Sequence, residues 1–113
     1  MPLYQIRRDL PGASAADIDA ASFRAIVCAT EFAGVHWIRS YWDEPGGVIT
    51  CYYEAPDAQT VRDHAARSRI PCDEILEVAE VLPESYVPDG AAFEAAGAPG
   101  EGIDSLAGML QGR

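Results

Sequence analysis

Gly34–Val81 reads GVHWIRSYWDEPGGVITCYYEAPDAQTVRDHAARSRIPCDEILEVAEV, and this stretch decides the fold. Val35–Asp43 alternates along an aromatic strand, with Val35, Trp37, Arg39 and Tyr41 expected on one face and His36, Ile38, Ser40 and Trp42 on the other. Asp43-Glu44-Pro45-Gly46-Gly47 supplies a hairpin connection. Val48–Glu54 is a second strand. Pro56 ends it, and Asp57 caps a helix over Ala58–Ser68. In that helix Val61, His64, Ala65 and Ser68 fall at i, i+3, i+4 and i+7, so this stripe should face a sheet. Ile70-Pro71 breaks the helix, and Ile75–Leu82 carries the aliphatics of a further strand.

Upstream, Leu3–Arg8 alternates Leu, Gln, Arg with Tyr, Ile, Arg and reads as the first strand. Asp9-Leu10-Pro11-Gly12 turns the chain. Ser14 is placed to cap a helix, with Asp17 in its acidic first turn; the helical pattern runs to about Phe32 and stops at Gly34. The order is β-α-β-β-α-β, the α+β pattern of ferredoxin-like folds: a four-stranded antiparallel sheet with two helices on one face. The opposite sheet face has no cover within the chain, which favours a homodimer. Residues 1–82 form this domain. Residues 83–113 form a Pro/Gly/Ala-rich acidic tail with a short amphipathic segment, Ile103–Leu110, that could dock on a protein partner.

The formal charge is −10 and every Lys/Arg-type residue is an arginine, so phosphate backbones are repelled and nucleic-acid binding is disfavoured. Without lysine there is no Schiff-base chemistry. No apolar run approaches the roughly 20 residues that span a bilayer. The opening MPLYQIRRDL lacks the apolar core of a signal peptide, so a cytoplasmic location is the expectation. Three cysteines, Cys28, Cys51 and Cys72, none in CxxC spacing, argue for reduced thiols over a disulfide framework.

Several fragments carry a resemblance. They are Tyr4 with Arg8-Asp9-Leu10-Pro11-Gly12, the strand Val35–Tyr41, Cys51-Tyr52-Tyr53-Glu54-Ala55-Pro56, and Val61-Arg62-Asp63-His64-Ala65 followed by Pro71. In spacing and order they resemble a small bacterial nickel-binding, ferredoxin-like family, otherwise catalogued as a domain of unknown function, over about Leu3–Leu82. The resemblance implies a homodimer, nickel binding in at least one member and no established enzymatic activity. Cys51, Tyr52, His64 and Cys28 match recurrent family positions. His36 stands where another polar residue is usual, and Cys72 where a small residue is usual.

Imidazole and thiolate suit Ni²⁺, Cu²⁺ and Zn²⁺, which makes His64, Cys51, Cys28 and His36 the candidate metal ligands. Cys51 can face His64 and Cys28 between sheet and helices, in a register that one residue of slip would invert. A buried, hydrogen-bonded His64 and an apolar Cys51 are the competing structural roles. Cys72-Asp73-Glu74 holds three ligand types in a row, though consecutive residues seldom converge on one ion. Trp37, Arg39, Tyr41, Tyr52 and Tyr53 are core and interface aromatics with one arginine, or alternatively a ligand pocket under the sheet, where Arg39 would pair with a carboxylate. No GxSxG, HExxH or P-loop occurs, so the leading expectation is a dimeric transition-metal protein, acting in sequestration or sensing. A cofactor-independent enzyme or small-molecule binder is the second, and an assembly partner acting through the tail the third.

Overall fold

The structure, a computed structural model, describes residues 1–86. Its elements run β1 (Leu3–Asp9), α1 (Ala15–Ala29), β2 (His36–Asp43), β3 (Val48–Glu54), α2 (Ala58–Ser68) and β4 (Glu74–Val78). These lie within one compact unit, Met1–Ala79. Of the second unit, Glu80–Arg113, Pro83–Tyr86 forms a single 3₁₀ turn. The segment Ile103–Leu110 and its docking role lie outside the described residues.

All strand pairs are antiparallel, and the sheet order is β2-β3-β1-β4. Both helices cover one face, as the ferredoxin-like order requires. β1 obeys its alternation: Tyr4, Ile6 and Arg8 point into the helix side and are buried, opposite Tyr53, Cys51 and Ile49 of β3. Val61 and Ala65 of α2 close over them. Each large apolar side chain fully buried there stabilises the fold by about 1.5–3 kcal/mol.

The helix starts form as their caps dictate. The Ser14 hydroxyl accepts from the Asp17 N–H and the Asp17 carboxylate accepts from the Ser14 N–H, a reciprocal capping box. Asp57 accepts from both the backbone N–H and the hydroxyl of Thr60 at 2.7 Å. On α1 the buried choice between neighbours falls on Ala25; Ile26 is exposed.

Two elements differ from expectation. β2 does not alternate throughout. Trp37 pairs with Tyr53, but Arg39 pairs with Tyr52, so Ile38 is an extra residue in a β-bulge. Trp37, Ser40 and Trp42 are therefore half-buried on the helix side, while His36, Arg39 and Tyr41 are exposed on the other. The cause lies in the spacing of the tryptophans. An odd separation puts Trp37 and Trp42 on opposite faces of a regular strand, and one inserted residue lets both reach the core. Val35 is buried ahead of β2 instead of belonging to it. The last strand is also shorter than Ile75–Leu82. Val78 pairs with Leu3, the first residue of β1, so the partner strand runs out there and Val81 is left exposed.

Candidate functional site

Arg8, His64, Cys51 and Cys28 are all buried on the helix side of the sheet, but the thiols and the imidazole do not converge on one point. The α2 stripe turns His64 inward with Val61, Ala65 and Ser68, all buried. Its Nε2 donates to the Ala25 carbonyl of α1 at 2.8 Å, which fixes the neutral tautomer with the proton on that nitrogen. Phe32 meets the imidazole edge-on at 5.8 Å and Tyr53 lies tilted at 5.5 Å. Burial pushes the His64 pKa below its ordinary value; the Ala25 carbonyl opposes this and the Arg8 charge adds to it.

Cys51 sits on the same side, opposite Ile6, and its Sγ accepts from Arg8 Nε at 3.4 Å. Cys28 is buried on α1, and its thiol donates to the Arg67 carbonyl at 3.7 Å. Arg8 Nη1 donates to the Pro71 carbonyl at 2.7 Å, and the guanidinium carbon lies 5.8 Å from the centre of the Tyr53 ring. Burial drives the Tyr53 phenol up to about 12, against the pull of Arg8. Arg8 was not singled out from the sequence as a functional residue; the signal that could have found it is the face it shares with Tyr4 and Ile6, which the structure turns inward.

His36 lies on the open face. It pairs with Glu54 in the ladder and is exposed, so the two histidines occupy opposite sides of the sheet. Side chains directly opposite in an antiparallel pair have Cβ atoms about 4.5–5.5 Å apart, close enough for His36 and Glu54 to share a ligand. Among the described residues no three His, Cys, Asp or Glu side chains converge as a metal cluster.

The aromatic set is divided by the bulge. Trp37 stacks on Tyr53 inside, with ring centres 6.3 Å apart, and its Nε1 donates to Ser40 Oγ at 2.9 Å. Tyr41 and Tyr52 meet edge-on at 6.2 Å outside, beside Arg39. In Cys72-Asp73-Glu74, the half-buried Cys72 has its thiol pushed up, chiefly by burial. Asp73 accepts from the Asp9 N–H at 2.7 Å, which ties the approach to β4 onto β1, and Glu74 sits opposite Arg7.

No helix among the described residues is long and apolar enough to cross a membrane. Comparison with curated proteins gave no match. The fold is similar to the crystal structure of SCO4226 from Streptomyces coelicolor A3(2), with a TM-score of 0.65, 23% identity, and coverage of 71% of this chain and 99% of that one. Residues 4–78 match the family described as nickel responsive protein SCO4226-like. That match spans every strand and both helices, and the chain belongs to the SCO4226-like family.

Proposed function

We propose that the protein binds a transition-metal ion, nickel by the description of its family, and serves as a homodimer in sequestration or sensing. The observation that carries this reading is the family match over residues 4–78.

The chemistry of the donors ranks the candidates. In the interlayer, His64 Nε2 is committed to the Ala25 carbonyl, Cys28 donates to a backbone carbonyl, and Cys51 is hydrogen-bonded to a guanidinium. The Nδ1 of His64 stays open to a ligand, but a cation there would face the Arg8 charge, and among the described residues no three His, Cys, Asp or Glu side chains converge there, so His64, Cys51 and Cys28 fit an ion poorly as they stand. On the open face His36 is exposed beside an acidic partner, Glu54. Imidazole and carboxylate oxygen both suit Ni²⁺, but two donors leave most of its coordination open. A second copy packed on this face would bring a second such pair, which ties the metal reading to the homodimer. Bound there, the ion would supply a charged cross-link between subunits, and His36 and Glu54 would orient it.

The test is calorimetric titration of Ni²⁺ into tag-free, chelator-stripped protein, with sedimentation to read the oligomer. Saturable binding that His36→Ala abolishes and His64→Gln leaves in place supports the open-face site. Loss on His64→Gln with His36→Ala intact moves the site to the interlayer. No saturable binding to the parent protein ends the metal reading.

A further inference from the structure

A groove of about 180 Å³ runs beside α1, bordered by the chain that enters α1 and the chain that leaves α2. Asp17, Ala20, Ala21 and Arg24 line it at i, i+3, i+4 and i+7, so they share one face of α1. Seven residues of helix set Asp17 and Arg24 about 10 Å apart along the axis, and the two alanines hollow the space between them. Leu10, Ile18 and Ile70 make the walls apolar. Arg69, which follows α2, lines the groove as well. Arg24 is half-buried, and its Nε donates to the Ser68 carbonyl at 2.9 Å. That bond brings its guanidinium to the residue next to Arg69 and leaves both Nη nitrogens for another acceptor. The ion pairs among the described residues are Arg7–Asp9 and Arg67–Glu31, so neither Arg24 nor Arg69 has a carboxylate partner there.

We infer that this groove binds an aliphatic monocarboxylate, whose carboxylate Arg24 and Arg69 hold and whose hydrocarbon chain lies along Ala20 and Ala21 towards Asp17. Guanidinium pairs with carboxylate through charge-assisted hydrogen bonds, stronger than neutral ones. Covering the hydrocarbon with the apolar walls adds affinity in proportion to the area removed from water. The volume has room for a ligand body of benzene size, and the groove opens to solvent, so a longer chain can extend out of it. Asp17 sets the charge preference. The Ser14 N–H donates to its carboxylate at 2.9 Å and holds its pKa below the ordinary 3.8, so Asp17 is ionised at neutral pH. A second carboxylate at the far end of the ligand would approach this charge, and the groove therefore disfavours dicarboxylates. The site does not depend on the metal reading: it lies on the helix side of the sheet, away from His36.

The experiment follows backbone amide shifts of the full chain by NMR during titration with sodium hexanoate and, separately, sodium adipate, at neutral pH and constant ionic strength. Hexanoate should shift the amides of Ala20, Ala21 and Ile70 saturably, and adipate, of the same length with a second carboxylate, should bind more weakly. Arg69 has φ of +59°, a conformation that glycine adopts without strain, so Arg69→Gly should keep the fold with no loss of Tm. That variant should nonetheless bind hexanoate at least about threefold more weakly, which reads the guanidinium apart from any structural role. Asp17→Asn keeps a side-chain oxygen for the Ser14 N–H and removes the charge, and it should narrow the gap between hexanoate and adipate. The inference is overturned if the parent shows no saturable shifts, if the shifts fall away from the groove, or if the parent binds both acids equally. Undiminished binding in Arg69→Gly, or an unchanged gap in Asp17→Asn, would overturn it too.

Discussion

His64 Nε2 and the Ala25 carbonyl oxygen, 2.8 Å apart, join α2 to α1 through a buried hydrogen bond. The carbonyl can only accept, so the bond itself survives protonation of His64. The added charge on Nδ1 would, however, be buried among Phe32, Tyr53 and the Arg8 guanidinium. Folding therefore disfavours the imidazolium.

Stability should fall as the pH drops from about 7 towards 5. The folded pKa of His64 lies below the ordinary 6.5, so on acidification the unfolded chain takes up the proton first. The contribution of the neutral imidazole is complete above that ordinary value and is lost progressively below it. Urea melts across this range should show the slope in the parent protein and a shallower one in His64→Gln.

Gly47→Ala should destabilise the hairpin end by about 1–2 kcal/mol or more. Gly47 has φ of +69°, and an added Cβ would come within 2.8 Å of the Pro11 Cα, a backbone atom with little room to yield. The Leu10 N–H to Gly47 carbonyl bond, at 2.7 Å, holds the two loops at this distance. Thermal melts would register the change as a Tm loss of several degrees.

Asp57→Ala should lower the stability, because it strips α2 of both hydrogen bonds to Thr60. These bonds also hold the Asp57 carboxyl below its ordinary 3.8. The cap is accordingly fully effective above that value and is lost as the pH falls through the lowered one. At pH 2 the parent and the alanine variant should approach one another in stability, which acid-titrated melts would check.

Deleting Ile38 should leave the fold intact, whereas deleting Thr50 should unfold it. Without Ile38, Trp37 still opposes Tyr53 and the next residue still opposes Tyr52, so the ladder becomes regular with every other side chain on its present face. β3 carries no extra residue of its own in either pairing, and a residue lost from it would turn buried side chains outward. Near-native circular dichroism of one variant and a coil spectrum of the other is the expected pair of results.

The element order was legible because its punctuation is chemical. Ser14, Asp57 and the Pro45-Gly46-Gly47 turn marked boundaries that the structure keeps, and the His64 stripe faced inward as its period required. Periodicity failed where burial required an irregular strand. Trp37 and Trp42 were visible at odd spacing, but a bulge follows from that spacing only once both are known to be inside. The reach of β4 depended on where β1 begins, which is a property of the pair and not of Ile75–Leu82 itself. For the site, sequence grouped histidines and thiols by ligand chemistry. It could not show that His64 and Cys28 would be bonded to backbone carbonyls, or that Arg8 would be carried into the core beside Ile6.

The bulge at Ile38 also bears on solubility. The sheet order leaves β2 and β4 with one unpaired row of backbone groups each, open to strands from other molecules. β4 is short, and Glu74 and Glu77 give it like charges that discourage stacking. β2 is longer and rich in aromatics, the composition that favours growth into fibrils. A kinked, twisted edge with Arg39 exposed beside the extra residue cannot lie flat against its own copy, so the displacement that buries two tryptophans also protects the chain from polymerising through its outermost strand.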